Sequence, residues 1–455
     1  MSSLFGVLGV ALDGMLAQQG ALDVTGSNVS NASTPGYARR IAVLQTADTG
    51  LGVSMSSVER STDDLLQARW LGETGLSSAA STRADALDQL QQTIAPQSGG
   101  LGQDLNALYA SFTALSAHPS DPATRSAVLS AAGQVAQDFS GAANEIASQR
   151  SSLYSQAQTT VTDLNDKLAR IAKLNDQIAA AKASGDPASG LADQRDTLVE
   201  GVANAIGAQP IMGADGRVTL LSSGTALVDG SNAATVSVGL DASGNLQFGV
   251  TRNGTLNDIT SSVSAGSLGG IREARDTDMA AVAGGLDQVA YDVSTSINAV
   301  QSAGFGLDGV GGRNLFTAPS AVVGAAAGMA VDPSVAGNPQ AIAASTTAAG
   351  LPGGSDNAVA LAQLAGKPLG GASTPADDYG NWSSALGQRQ AQAASEQQLR
   401  AGTTSQLHTM QQSNVGVSLE EETVNLQAYQ SAFSASSKVL QTADNLLGEL
   451  MSMTI

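Results

Sequence analysis

Near the end of the chain, Leu419, Leu426, Phe433, Leu440 and Leu447 recur at every seventh position, with Tyr429, Ala443 and Leu450 at the intermediate seam positions. A seven-residue apolar repeat keeps one face of an α-helix turned toward a partner, so this stretch predicts a coiled-coil helix that needs a second helix beside it. Its start is marked, since Ser418 followed by Glu421 reads as a capping box and Glu420 and Glu422 place negative charge at the positive end of the helix dipole. The opposite end of the chain offers a candidate partner. There Leu8, Leu12, Met15 and Leu22 fall on one helical stripe.

Between these ends the pattern is mostly helical. Ser61 with Asp64 reads as the cap of a helix through Leu65, Trp70, Leu87 and Leu90 toward Pro96, with Gly72 and Gly75 as weak points. Asp121 and Pro122 read as N-cap and first residue of a long helix through Leu129, Val135, Phe139 and Ile146 toward Lys182, ended by Gly185-Asp186-Pro187. A shorter helix spans 191–206. From 209 to 263, alternating runs such as Val218-Thr219-Leu220 and Leu246-Gln247-Phe248 are separated by Asp215-Gly216, Gly244-Asn245 and Asn253-Gly254, which predicts one compact antiparallel β module. Helix returns over 271–302. The stretch 304–380 is rich in Gly, Ala and Pro with a helical piece at 357–364, and 382–410 is Gln- and Ala-rich helix.

Composition narrows the functions open to such a chain. Its 455 residues leave room for two or more packed domains, but only 3% are aromatic, which favours small-residue helix packing over a deep ligand pocket. The net charge of −19 repels nucleic acid and anionic membranes. With no cysteine, disulfide frameworks, thiol catalysis and cysteine-bound metals are excluded. The opening residues carry no Lys or Arg before Arg39, and Asp13 and Gln18-Gln19 interrupt the apolar run, so neither a signal peptide nor a run of about 18 apolar residues is read there.

Catalytic chemistry is sought and not found. His118 and His408 stand outside any metal or nucleophile motif and read as surface residues, and the glycines before Arg313 in GVGGRNLF read as a turn. Glu420 to Glu422 point in different directions from a helix and suit capping better than cation binding; Asp193, Arg195 and Asp196 read as solvated or structurally paired. No cofactor is implied.

The stretch SNASTPGYARR, 30–40, is the strongest punctuation in the chain. Asn28 and Asn31 tolerate turn conformations, Pro35 bars helix continuation and Gly36 admits positive φ, so a turn is predicted after the first helix. The longer segment SNVSNASTPGYARR resembles the Asn-rich, Thr-Pro-Gly-Tyr signature that follows the first helix in axial proteins of the bacterial flagellum. GVSLEEETVNLQAYQSAFSASSKVLQTADNLL looks like the last helix of that superfamily. AHPSDPATRSAVLSAA (117–132), GLADQRDTLVEGVANAIG (190–207) and the segment 268–316 are similar to the hook-associated protein 1 family of the hook–filament junction. The likeness runs with gaps from 1 to 455. It departs at Val29 and Ser30, at Arg40, where Gln is common, and at Ser431 and Ser434, which replace two helix glutamines.

From the residues and this resemblance together, the expected fold is mainly α with a small antiparallel β domain (α+β). Its parts are an axial helix and turn segment (1–60), a helical domain (61–207), an outward β module (208–263), a helical return with Gly/Ala/Pro-rich loops (264–380), and C-terminal helices including the axial coiled coil (381–455). The resemblance implies a structural subunit of the flagellum that joins hook to filament and catalyses nothing. It implies a turn motif of Asn31, Thr34, Pro35, Gly36 and Tyr37, with the Arg39-Arg40 pair facing acids of neighbouring copies. It makes the stripes Leu8, Leu12, Met15 and Leu22, and Leu419, Leu426, Phe433, Leu440 and Leu447, an assembly interface. Implied partners are further copies in a ring or helical layer, the hook protein, a second junction protein on the filament side and an export chaperone on the C-terminal region, with no nucleic acid and no membrane. Export would be by the flagellar type III apparatus, uncleaved, to an extracellular site. A hook or distal-rod subunit is the alternative within this class; a secreted coiled-coil adhesin, or a hydrolase with flagellar-type ends, lies outside it.

Overall fold

Helix nucleation needs satisfied first-turn N–H groups, and the longest helix shows how the chain meets that need. Asp121 accepts a hydrogen bond from the Ala123 N–H at 3.1 Å, Pro122 occupies the first helical position, and the helix runs 62 residues, Pro122–Ala183. At 1.5 Å per residue it is about 90 Å long. In a computed structural model of the chain, which describes residues 2–47, 51–94, 100–369 and 373–452, this helix is the spine on which the middle of the molecule is built.

In chain order the elements are α1 (Ser2–Asn31), the hairpin β1 (Arg40–Thr46) and β2 (Val53–Arg60), α2 (Asp64–Ile94), α3 (Leu101–Ala117), the spine α4 (Pro122–Ala183) and α5 (Ser189–Ile206). Strands β3 (Gln209–Met212), β4 (Val218–Ser222), β5 (Thr225–Asp229), β6 (Asn232–Ala233), β7 (Thr235–Leu240), β8 (Leu246–Arg252) and β9 (Thr255–Asp258) follow. Then come α6 (Gly266–Arg272), a π-helical turn (Glu273–Asp278), α7 (Met279–Ala303), α8 (Asp356–Gln363), α9 (Pro375–Val415) and α10 (Leu419–Ser452). The architecture is mainly helical with small antiparallel sheets, as expected from the sequence.

Along α4 the residues Val128, Val135, Phe139, Ile146, Val161, Leu164, Leu168 and Ile171 are buried, and α3, α5, α7 and the β strands lie against it. One continuous hydrophobic cluster extends from Leu71 in α2 to Leu386 in α9. Apart from the β1–β2 hairpin, the strands form two sheets, β3-β4-β5-β6 and β7-β8-β9. Each is tied to α4 by an asparagine whose amide pairs with strand backbone: Asn175 with Val218, and Asn165 with Val236, through N–H and C=O bonds of 2.8–3.0 Å. The Asn253-Gly254 turn has both residues at positive φ, 50° and 79°, the conformation a tight β-hairpin requires.

Several expectations need correction. The carboxylate that caps α2 is Asp63, which accepts from Leu66 N–H at 2.9 Å, while Ser61 N–H is taken by the Arg39 carbonyl. Pro96, read as the end of that helix, lies outside the described residues. The structure adds two elements to those expected, the β1–β2 hairpin inside the turn segment and the whole of α3. The helical return also begins earlier, at Gly266, and passes through a π turn. Finally, α1 over Leu4–Asn31 is long and apolar enough, by length and composition, to cross a membrane. Counting uninterrupted apolar residues does not register this, because Leu, Val, Phe and Ala raise the mean hydropathy of the helix although Gly, Asp13 and Gln18-Gln19 break the run.

Candidate functional site

The two ends of the chain meet. Helices α1 and α10 pack extensively against each other. Gly14 lies beside Ser436, and Asn28 bonds Glu422, so advancing along α1 means retreating along α10: the pair is antiparallel. On α1 the buried positions are Ala11, Ala17, Ala21, Thr25 and Asn28. Small side chains let the helices approach closely, and the stripe expected to carry the contact is displaced to the flanks. Leu8, Met15 and Leu22 are half-buried, and Leu12 is 44% exposed. On α10, Leu426, Tyr429, Phe433, Leu440 and Leu447 are half-buried around a buried Ala443, whereas Leu419 at the helix start is 55% exposed and Leu450 is also exposed.

Where α1 ends, the chain makes the turn that its residues foretell. The Thr34 N–H donates to the Asn31 carbonyl at 2.9 Å, the Tyr37 N–H to the Thr34 carbonyl at 3.2 Å, and Thr34 Oγ1 to Asn31 Oδ1 at 3.2 Å. Pro35 sits inside this turn, and Gly36 has φ +78°. A Cβ at Gly36 would lie 2.4 Å from Thr197 Oγ1 of α5, so glycine is required there both for conformation and for space.

The turn brings Asn28 to the centre of a polar clamp. Its Oδ1 accepts from the Tyr37 hydroxyl at 2.8 Å and from Arg40 N–H at 2.9 Å. Its Nδ2 donates to the Arg40 carbonyl at 2.8 Å and to Glu422 Oε2 at 3.1 Å. Glu422 is only 2% exposed, and its other oxygen receives Arg39 Nε at 2.8 Å. Burying a carboxylate is costly unless it is paired and hydrogen-bonded, and both partners come from the N-terminal segment. Arg39 also reaches Glu421 at 2.9 Å; Ser418 Oγ still accepts the Glu421 N–H, at 3.4 Å.

A second cluster fixes the hairpin to α5. Arg40 pairs with Asp193 at 3.3 Å, and Arg60 with Asp193 and Asp196, both at 2.8 Å. Arg40 also stacks over the Tyr37 ring, 5.0 Å from its centroid. Buried Arg195 donates to the Gly216 carbonyl at 2.6 Å; burial lowers its affinity for the proton and neighbouring Asp196 restores part of it. Thus the Arg39-Arg40 pair, expected to face acids of neighbouring copies, faces acids of its own chain.

This arrangement positions helices. Among the described residues no group of three His, Asp or Glu side chains is placed to hold a metal ion. His118 and His408 are exposed, and Arg313 pairs with Asp308 beside its glycine turn. Sequence reasoning missed Glu422, Arg60 and the central role of Asn28. Three consecutive glutamates do not reveal which one will be buried, and Arg60 gains meaning only from the unread hairpin.

Comparison with known proteins agrees with this geometry. The family described as flagellar hook-associated protein FlgK helical domain matches residues 87–316. The ends match two others, flagella basal body rod protein over 8–37 and flagellar basal body rod FlgEFG protein C-terminal over 410–453. Flagellar hook-associated protein 1 of Bacillus subtilis is 28% identical over 506 residues, covering 99% of this chain and 98% of the relative. That of Escherichia coli K12 is 24% identical over the full length of both chains, and that of Salmonella typhimurium 28% over 71% of this chain and 61% of its own. In fold, the flagellar hook junction protein FlgK from Burkholderia pseudomallei superposes with a TM-score of 0.67 at 17% identity, over 77% of this chain and all of that one.

Proposed function

The chain belongs to the flagellar hook-associated protein FlgK family, a structural family of the bacterial flagellum, and from that premise we propose that it is the subunit that joins hook to filament. The observation that carries this reading is the family match over residues 87–316. The terminal matches alone would suit a rod or hook subunit equally, whereas the middle match is to the hook-associated family.

On this reading the α1/α10 pair is the axial part that inserts among neighbouring copies, with the hook protein on one side and a second junction protein on the other. Exposed large residues of the pair, among them Phe5, Leu12, Leu16, Leu419, Val424 and Leu446, are the surface left for those contacts, together with the half-buried Leu8, Met15, Leu22, Leu426, Phe433, Leu440 and Leu447. Asn31, Thr34, Pro35, Gly36 and Tyr37 set the angle at which this axial part leaves α5 and the middle of the molecule. Residues 61–207 and 264–380 supply lateral contacts, and 208–263 face outward. The protein acts outside the cell after type III export, aided by a chaperone on the C-terminal region, and catalyses no reaction.

Deletion of the gene tests this function. The expected phenotype is intact hooks without filaments, with flagellin lost to the medium. Loss of hooks as well would indicate a hook or rod subunit, and normal filaments would remove the protein from the junction.

A further inference from the structure

A groove of about 630 Å³ runs between α2, α5 and α9, away from the polar clamp. Trp70, Thr74 and Ser77 line it from α2, Glu200 and Asn204 from α5, and His408 from α9. Two of these carry buried polar atoms without a hydrogen-bond partner, the Trp70 indole Nε1 and the Thr74 hydroxyl, and Thr74 is only 7% exposed. Buried donors of that kind are uncommon in folded proteins and call for an explanation. Elsewhere on these helices threonine hydroxyls are tied to the carbonyl four residues back, as at Thr82, Thr93 and Thr404. Thr74 makes no such bond.

The donor and acceptor inventory of the groove is mixed. Trp70 offers an N–H and a ring, tilted against the His408 ring at 5.8 Å; Thr74 and Ser77 offer hydroxyls; Asn204 offers both halves of an amide; Glu200 offers a carboxylate. Burial pushes the Glu200 carboxyl above the usual range and His408 pulls it part of the way back. Apart from Trp70, His408, Asn204 and Glu200 its side chains are small, so the groove is open and shallow. An amphipathic indole beside hydroxyl, amide and carboxylate groups suits a ligand with apolar ring faces and many hydroxyls.

We propose that the groove between α2, α5 and α9 is a saccharide-binding site, with Trp70 as the ring platform and Thr74, Asn204 and Glu200 as hydroxyl partners. The test uses the full chain labelled with ¹⁵N, in which Trp382→Phe assigns the two indole N–H resonances. Chitotriose and maltotriose are each added to about 10 mM, the range in which a shallow site saturates. The expected result is a saturable shift of the Trp70 indole with at least one sugar. Thr74→Val and Glu200→Gln should each weaken binding about tenfold while leaving the melting temperature near that of the parent. A Trp70 resonance unmoved by both sugars overturns the proposal. So does a shift insensitive to both substitutions, or a Trp70 shift produced by an extended Ser/Ala peptide and by neither sugar, which would assign the groove to a protein segment.

Discussion

The spine helix α4 and the terminal pair α1/α10 are both long helical assemblies, yet they treat their large apolar residues in opposite ways. Along α4, Phe139, Leu164, Leu168 and Ile171 are fully buried, and the helices around them are joined by one hydrophobic cluster. In the terminal pair the contact is made by alanine, threonine and an asparagine clamp, while Phe5, Leu16, Val424 and Leu446 stay exposed. The first arrangement completes its own core. The second holds two helices in register and leaves large apolar residues outside, which is what a subunit needs if its final stability comes from neighbours.

The contrast can be broken most forcefully in the middle. Phe139→Ala should lower monomer stability by about 3–5 kcal/mol, whereas Phe5→Ala should change it by about 0.5 kcal/mol or less. Thermal melts of the two variants check this, and similar losses would erase the distinction.

The clamp comes next. Glu422→Ala removes one of the four hydrogen bonds of Asn28 and leaves Arg39 with only the exposed Glu421, a local cost of about 3 kcal/mol. Hydrogen exchange should accelerate across α1 and α10 and remain unchanged in α4. Glu422→Gln keeps an acceptor and should cost about 1 kcal/mol.

At the turn, Gly36→Val should harm filament formation more than Gly36→Asn, by about 1 kcal/mol of backbone strain. Both side chains also meet Thr197. Adding Thr197→Ala should therefore rescue Gly36→Asn and leave Gly36→Val impaired; rescue of both, scored by filament counts at equal export, would show that space rather than conformation governs the position.

The smallest effect sharpens the middle alone. Burial and the neighbouring Asp104 carboxyl raise the Asp138 pKa to about 6. Because the folded value lies above the unfolded one, this contribution to stability is present below about pH 4 and fades as pH rises through 6. Asp138→Asn should then stabilise the protein at pH 7.5 by about 1 kcal/mol, allowing for partial solvent screening, and bring no gain at pH 4. Melts at the two pH values decide it.

Legibility in the sequence follows the same divide. The α4 cap, the αL glycines and the β turns are local chemistry, so Asp121-Pro122, Gly36 and Asn253-Gly254 could be read directly. Helix α3 carries an equally local signal, since Leu101, Leu105, Leu108, Phe112 and Leu115 mark one buried face, but it lies between two stronger ones. The hairpin was harder: Ile41 to Leu44 are consecutive apolar residues without period-two alternation, and β2 is largely polar. At α1, hydrophobic periodicity picks out the large residues Leu8, Met15 and Leu22, which are half-buried, while close helix packing selects Ala11, Ala17 and Ala21. The clamp joins residues nearly four hundred positions apart, and nothing local singles out Glu422 from its neighbours.

The central claim is that the exposed apolar surface of the terminal pair belongs to assembly and not to the fold of the monomer. Leu16, 56% exposed on α1, tests it most directly through incorporation of Leu16→Asp at hook tips in cells lacking the wild-type copy, at matched export. An aspartate there stays hydrated in the monomer but would lose its water against a neighbour, at a cost of several kcal/mol. The account predicts a monomer that melts like wild type and hooks that bear no filaments. Normal filaments on Leu16→Asp hooks would contradict it.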